Sequence, residues 1–132
     1  MTVTLTGHAA TDRAARWNKQ LASHLGRKID AQFDAETGTA VIRREDTALT
    51  MGATDAGIAF SVVGPDEQSV FTLTAIMQSH LERFAEKEGL RCEWDESELA
   101  TRYAEALAEF EAKRAERKAA QAAADAAEAA AN

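Results

Sequence analysis

Two segments of the chain carry apolar residues at the spacing of an amphipathic helix. In the first segment, apolar residues recur every three or four positions: Ala14, Trp17, Leu21 and Leu25. Such a stripe is typical of a helix that buries one side. Thr11 or Asp12 suits the N-cap, and Gly26 is placed to end the helix in a left-handed turn. The pattern therefore predicts a first helix from about residue 12 to Leu25.

The second helical segment is longer and begins after Gly64 and Pro65. Asp66 suits the positive end of a helix, and Gly89 marks its end. The stripe of this segment recurs at helical spacing and includes one histidine: Val70, Leu73, Met77, His80, Leu81 and Phe84. We therefore expect a second amphipathic helix whose apolar side is buried.

Apolar and polar residues alternate in five short segments, at residues 29–33, 39–43, 47–51, 58–62 and 90–94. Alternation with period two is typical of strands that have one buried and one solvated face. The turns between the first four segments are short and polar, which favours antiparallel neighbours. The chain therefore predicts an α+β two-layer sandwich: an antiparallel sheet of about five strands with two helices on one face.

A third helix is expected to begin near Asp95, where Asp95 and Glu98 have the spacing of a capping box. Its apolar stripe is short: Leu99, Tyr103, Leu107 and Phe110. Alanine and charged residues follow, so we expect helix to about residue 118 and fraying beyond it. The predicted organisation is an α+β domain at 1–95 and an Ala- and Glu-rich helix at 96–132, frayed or disordered toward its end.

The charge and composition of the chain limit the classes of partner that it is expected to bind. The 15 basic and 22 acidic residues give a net charge of −7, and neither half of the chain has a concentrated basic surface. Nucleic acid is therefore disfavoured as a partner. No stretch approaches the roughly 18 apolar residues of a membrane span, so we expect a cytoplasmic protein with no membrane contact. The single cysteine, Cys92, is expected to face the core as a small apolar residue.

His24 and His80 are the main candidate ligands because both lie on the stripes of helices that should pack on the same sheet. Two neutral imidazoles could hold a transition metal, or one could ligate haem iron. A third ligand is not evident, although Asp34 or Glu82 could supply a carboxylate. The alternative is that each histidine orients structure at the rim of the core. Lys19, Arg83 and Arg27 form a separate candidate group.

The cationic side chains of Lys19, Arg83 and Arg27 could bind a carboxylate or phosphate near the helix ends. The alternative is that Lys19, Arg27 and Arg83 form ion pairs on a solvated surface, which add little stability. No nucleophile elbow, P-loop, dinucleotide fingerprint, HExxH or CxxC motif occurs in the sequence. No catalytic residue or cofactor is therefore assigned, and an enzyme is the least supported reading.

Residues 7–95 resemble an uncharacterised bacterial family, domain of unknown function 2218. The resemblance is carried by a KQL-x-x-H helix, a Phe-Asp strand end, an HLERFA helix and a Glu-Trp strand end. In this chain these are Lys19, Gln20, Leu21, His24, Phe33, Asp34, His80, Leu81, Glu82, Arg83, Phe84, Ala85, Glu93 and Trp94. Many relatives carry a second histidine where this chain has Arg27 and a tyrosine near Trp17, so the resemblance implies no site here that needs that histidine. The resemblance implies no activity.

Two functions remain open. The first is a non-enzymatic binding or accessory module with a small site near His24 and His80. Its ligand would be a metal, haem or a siderophore-related molecule, since the resemblance implies a link to iron or siderophore metabolism. The second is a homodimeric or protein-interaction module that uses the open sheet face and the third helix.

Overall fold

The computed structural model describes residues 2–131, which fold into a sheet and three α-helices. The strands are β1 (Val3–Ala10), β2 (Asp30–Asp34), β3 (Thr39–Arg44), β4 (Thr47–Thr54), β5 (Gly57–Gly64) and β6 (Glu93–Trp94). The helices are α1 (Ala14–Leu25), α2 (Glu67–Phe84) and α3 (Glu98–Ala131), with a 3₁₀ turn at Glu86–Glu88. The predicted α+β class is confirmed.

The sheet has the order β2-β3-β4-β5-β1-β6, and every neighbouring pair is antiparallel. Strands β2 to β5 form a meander joined by short turns, as the alternating pattern predicts. Val62 in β5 lies opposite Leu49 in β4 and Leu5 in β1. Side chains that share a face are therefore in register across the centre of the sheet, and the buried face is continuous.

The described chain has six strands instead of the predicted five or so, because β1 was missed. Its inward positions alternate correctly, but two of them are Gly7 and Ala9, whose small size makes the pattern weak. A Cβ on Gly7 would lie 2.5 Å from the Glu93 carbonyl oxygen and 2.6 Å from the Trp94 ring. Glycine is therefore required where Trp94 crosses β1. The last strand is also shorter than predicted, covering only Glu93–Trp94.

Both α1 and α2 pack on the same face of the sheet. Helix α1 lies against β2, β3 and β4, α2 lies against β1, β4 and β5, and the two helices touch each other. The core between the layers contains the largest fully buried apolar side chains: Leu5, Leu21, Ile42, Leu49, Met51, Ile58, Val62, Val70, Leu73, Met77 and Leu81. The alternate strand positions, such as Thr50, Ala59 and Val63, are exposed on the opposite face.

A buried amide fixes α1 over the sheet. Asn18 is fully buried, and its Nδ2 donates to the carbonyl oxygens of Gly38 at 2.9 Å and Met51 at 2.8 Å. One bond reaches the turn between β2 and β3, and the other reaches β4. Since buried polar groups are costly when left unpaired, these two bonds restrict where α1 can lie along the strands.

The first helix differs from its prediction at both ends. Its N-cap is Arg13, which makes no side-chain cap bond. The predicted Thr11 accepts a hydrogen bond from the Arg13 backbone at 3.1 Å and so forms a turn before the helix. Gly26 has φ −61°, so the predicted left-handed stop is wrong. The chain instead continues in right-handed turns, in which the amides of Lys28 and Ile29 donate to the Leu25 carbonyl.

The N-termini of the other two helices are capped by side chains at or near the predicted positions. Asp66 caps α2 by accepting from the Ser69 amide at 2.7 Å, and this bond lowers the pKa of the Asp66 carboxyl. Helix α3 is capped by Ser97, which accepts from Ala100 at 3.0 Å, and not by Asp95. Asp95 instead pairs with β1, since its carboxylate accepts from the Thr6 hydroxyl at 2.6 Å.

The start of α3 belongs to the folded core. Tyr103 is buried, and its hydroxyl donates to the Gln78 side-chain oxygen at 2.8 Å. The Trp94 ring nitrogen donates to the same oxygen at 3.1 Å. Gln78 donates in turn to Glu82 at 3.0 Å, and Glu82 also accepts from the Cys92 amide at 2.9 Å. Burial raises the pKa of the Tyr103 hydroxyl and of the Cys92 thiol, which keeps both groups neutral.

The rest of α3 extends away from the core. Every described side chain from 111 to 130 is exposed, and the helix continues to Ala131. Alanine, which has the highest helix propensity, fills much of this segment, and fraying beyond about residue 118 stays a prediction from the sequence. Within residues 2–131, no helix combines the length and the apolar character that crossing a bilayer would require.

The division into core and extension predicts two different mutational costs. Leu73 is fully buried, so Leu73→Ala should lower the free energy of unfolding by about 2–5 kcal/mol through lost burial and a cavity. Lys118→Ala, on the exposed part of α3, should change it by less than about 0.5 kcal/mol. Urea denaturation followed by circular dichroism measures both. Similar losses from the two variants would contradict the division.

Candidate functional site

The two candidate histidines meet where α1 and α2 touch. The ring centroids of His24 and His80 are 5.1 Å apart, with the rings tilted by 45°. Phe84 completes the group, at 5.1 Å from His24 and 6.2 Å from His80. The structure therefore brings together two side chains that are 56 positions apart in the sequence.

The positions of the two rings follow from the helical stripes. Leu25 and Leu81, the residues directly after the two histidines, are buried. A step of one residue rotates a helical side chain by about 100°, so each histidine projects from the edge of its stripe toward solvent. Both imidazoles are half-buried. They lie at the border between the core and water, where a ligand can reach them.

One tautomer of His80 is fixed by the helix on which it lies. Its Nδ1 is 2.7 Å from the Ile76 carbonyl oxygen, one turn earlier. A carbonyl oxygen only accepts hydrogen bonds, so Nδ1 carries the proton. In neutral His80 the other nitrogen, Nε2, therefore holds a lone pair and can bind a metal or accept a hydrogen bond.

The carboxylates proposed as a third metal ligand do not join the histidines. Among residues 2–131, no three side chains of histidine, cysteine, aspartate or glutamate come together as a metal site would require. Glu82 accepts from Gln78 and Cys92 and lies 3.8 Å from Arg91. Asp34 accepts from the Glu36 amide in the turn after β2. A metal held by the two imidazoles would need its remaining ligands from other molecules.

A cleft of about 460 Å³ opens beside His24 along the exposed side of α1. It is lined by Arg16, Lys19, Gln20, Ser23, His24, Arg27 and Phe84. Three of these side chains are cations and none is a carboxylate. Within the described residues, Arg16, Lys19 and Arg27 have no carboxylate oxygen within the 4.0 Å of a salt bridge. We call this feature the α1 cleft.

Of the three cationic residues that were predicted to bind an anion, two line the α1 cleft and one does not. Lys19 and Arg27 lie in its wall. Arg83 has its guanidinium carbon 5.7 Å from the centre of the Phe84 ring and lines a separate hollow instead. Arg16 also lines the cleft but was not among the predicted residues. Its spacing of three and four from Lys19 and Gln20 places it on the same side of α1, which was the available signal.

The surroundings of His24 favour its neutral form. Burial lowers its pKa below the ordinary value of 6.5, and the nearby charges of His80, Arg27, Arg83 and Lys28 lower it further, in decreasing order. All of these neighbours are basic. A proton on His24 would therefore add positive charge to an already positive region, whereas an anion bound there would reverse that penalty.

The comparisons with known proteins agree with the fold. Residues 6–95 match the family described as uncharacterized protein conserved in bacteria, DUF2218. The chain belongs to this family. The DUF2218 match includes His24, which lines the α1 cleft, and His80 beside it, and ends before α3 begins. Because the family is described as uncharacterized, membership in DUF2218 establishes no activity.

A solved structure is also similar to this chain: the NMR structure of PA4090 from Pseudomonas aeruginosa. The two sequences are 27% identical, and the TM-score is 0.57. The similarity covers 70% of this chain and 94% of PA4090. No protein of curated function matches the chain.

The charges around His24 lead to a prediction about its titration. Arg27→Gln should raise the pKa of His24 toward 6.5, because it removes one of the cations that disfavour the imidazolium. The pKa can be read from the ring Cε1–H resonance during an NMR titration. Arg43→Gln is the matched control, since Arg43 lies on the opposite face of the sheet. Equal effects of the two variants would show that the nearby charge is not responsible.

Proposed function

We propose that this protein is a non-enzymatic binding or accessory module whose α1 cleft holds a small anionic ligand. The supporting observation is electrostatic. In a chain with net charge −7, the α1 cleft gathers three cations and no carboxylate. Surface cations in an acidic protein ordinarily have acidic neighbours, so a cluster without them is suited to a ligand that supplies the negative charge.

The chemistry of the lining indicates carboxylate or phosphate groups. Arg16 and Arg27 present planar guanidinium groups that can bind two oxygens at once, and Lys19 adds a point charge. Gln20 and Ser23 add neutral hydrogen-bonding groups beside them. The volume of about 460 Å³ lies within the ~300–1,000 Å³ range of small-molecule sites.

We further propose that the ligand of the α1 cleft links this protein to iron or siderophore metabolism. Two observations support it chemically: the α1 cleft suits anionic chelators, and His80 retains a free Nε2 beside His24. A chelator that binds iron through carboxylates would meet the cations with its charge and the imidazoles with its metal. Native mass spectrometry of the protein as purified would show whether such a ligand accompanies it. An anionic adduct without metal would support binding of the organic ligand and would count against binding of iron.

The cations of the α1 cleft should determine the affinity for anions. Citrate, which carries several carboxylates, should bind the wild-type protein, and the double variant Lys19→Ala/Arg27→Ala should bind it about tenfold more weakly or worse. Isothermal titration calorimetry at low ionic strength measures the affinity. Arg43→Ala/Lys118→Ala removes the same two charge types outside the cleft and is the matched control. An equal loss in the control would mean that citrate responds only to overall charge.

The open sheet face supports a second function, self-association. Its central cross-strand pairs are small and uncharged: Ala48 with Val63, Thr50 with Ser61 and Gly52 with Ala59. Val63 is the exposed large hydrophobic residue among those described, at 38% exposure. An uncharged central patch of this kind suits a second copy of the chain, which would bury it in a homodimer.

A dimer through this face should be disrupted by charge at its centre. Val63→Lys should convert a dimer into a monomer, because pairing by symmetry would bury two unpaired ammonium groups. Light scattering after size-exclusion chromatography measures the mass. Phe110→Lys is the matched change on α3, where Phe110 is half-buried. If only Phe110→Lys lowers the mass, the third helix and not the sheet forms the contact. A wild-type protein that is monomeric would rule out this second function.

A further inference from the structure

We infer that the α1 cleft selects an aromatic carboxylic acid, whose ring lies against Phe84 and His24 and whose carboxylate lies on the flanking cations. This inference rests on the proposed anion-binding function and names the chemical class of its ligand. Three features of the cleft support it. They are an aromatic corner in the wall, the position of cations on both sides of that corner, and the absence of acidic side chains from the described lining.

The aromatic corner is formed by Phe84 and His24, both of which line the α1 cleft. Their ring centroids are 5.1 Å apart and the ring planes meet at 84°, which is the edge-to-face arrangement. Both side chains are half-buried, so part of each ring faces solvent. A planar ring in this corner can lie flat on one of the two rings and present its edge to the other. A saturated ring gains burial there but not this complementarity.

Phe84 gives the cleft a property that its cations alone do not have. It is the last residue of α2, one turn after the buried Leu81, and its ring packs partly against the core and partly lines the cleft. Cations alone would accept any anion of suitable size. An inorganic anion gains nothing from the apolar ring surface, whereas a ligand that covers the ring removes this surface from water. An aromatic acid uses both the ring and the cations.

The cations lie on both sides of the aromatic corner. Lys19 precedes His24 by five residues and Arg27 follows it by three. At 1.5 Å per residue, these two positions are about 7.5 Å and about 4.5 Å from His24 along the helix axis. Both side chains line the cleft, so a carboxylate on a ring in the corner has a cation on either side. Arg27 suits it best, because a guanidinium binds both carboxylate oxygens at once.

The charge of the lining excludes other aromatic ligands. Among the described residues, the side chains that line the cleft include three cations and no carboxylate. An aromatic amine would therefore meet only like charges, which repel it. A neutral aromatic molecule would leave the cations without a counterion. An acid on the ring avoids both penalties, and the hydrogen-bonding groups of Gln20 and Ser23 remain for other substituents.

The test is an NMR titration of the wild-type protein with three carboxylates of equal charge: benzoate, cyclohexanecarboxylate and acetate. Ionic strength is held constant with chloride, and affinity is read from the backbone amides of Lys19 and Arg27. Benzoate should bind about threefold more tightly than cyclohexanecarboxylate, through its aromatic contacts. It should bind about tenfold more tightly than acetate, which has no ring to bury. Intermolecular NOEs from benzoate to the Phe84 ring should locate the ligand in the corner.

Citrate serves as the reference for anion binding itself. If citrate shifts the amides of Lys19 and Arg27 and the three monocarboxylates bind equally or not at all, the aromatic preference is wrong and anion binding stands. Equal affinities of benzoate and cyclohexanecarboxylate, both above that of acetate, would also overturn the inference, since the cleft would then select any apolar acid. If neither citrate nor benzoate shifts these amides, the inference and the proposed function are both wrong.

Phe84→Leu keeps an apolar side chain at the corner but removes the ring. It should abolish the preference for benzoate over cyclohexanecarboxylate and leave citrate binding unchanged. Phe110→Leu is the matched control, because Phe110 is also half-buried but lines a separate hollow between α2 and α3. A preference that survives Phe84→Leu, or that is lost equally in Phe110→Leu, would overturn the inference. If circular dichroism shows that Phe84→Leu is unfolded, the NOEs to Phe84 in the wild-type protein decide the question.

Discussion

The contact between α1 and α2 on one face of the sheet determines the geometry of the candidate site. Each helix buries an apolar stripe against the same strands, and the buried leucines of the two stripes hold the helices side by side. The hydrogen bonds of Asn18 to Gly38 and Met51 fix the position of α1 along the strands. With both helices held, the edge positions of their stripes must face each other. The histidines are adjacent because their leucine neighbours are buried.

The overall charge of the chain conceals a basic part of its surface. Residues 13–29 contain five basic and no acidic side chains, although the whole chain has a net charge of −7. Three of those five line the α1 cleft. A potential is felt over about 8–10 Å at moderate salt, so a ligand in the cleft experiences this segment and not the chain average. An acidic protein can therefore present a local site for anions.

Much of the fold could be predicted from the sequence because its signals are periodic. Alternation located β2 to β5, and helical stripes located the two core helices, since burial imposes these patterns directly. Strand β1 was missed because Gly7 and Ala9 occupy inward positions without the bulk that makes alternation visible. Helix ends were less well predicted, as at Ser97, because several neighbouring residues can accept a capping bond.

The site was only partly predictable, for a different reason. The sequence identified His24, His80, Lys19 and Arg27 as candidates, and the structure places them around one region. It could not exclude Arg83 from the cleft or show that Glu82 is held by Gln78 and Cys92, because both facts depend on contacts between elements. The shared oxygen of Gln78 had no sequence signal at all, since a glutamine between stripe positions is ordinarily a surface residue.

The shared oxygen of Gln78 also determines where the folded unit ends. The DUF2218 match stops at residue 95, yet Tyr103 completes the core by donating to Gln78 beside Trp94. Excising the matched segment alone would leave the Gln78 oxygen short of one donor and would expose the apolar surface that Tyr103 covers. For crystallisation, labelling or fusion, the working boundary of this domain therefore lies after Phe110, where α3 no longer contacts the core and its side chains are exposed.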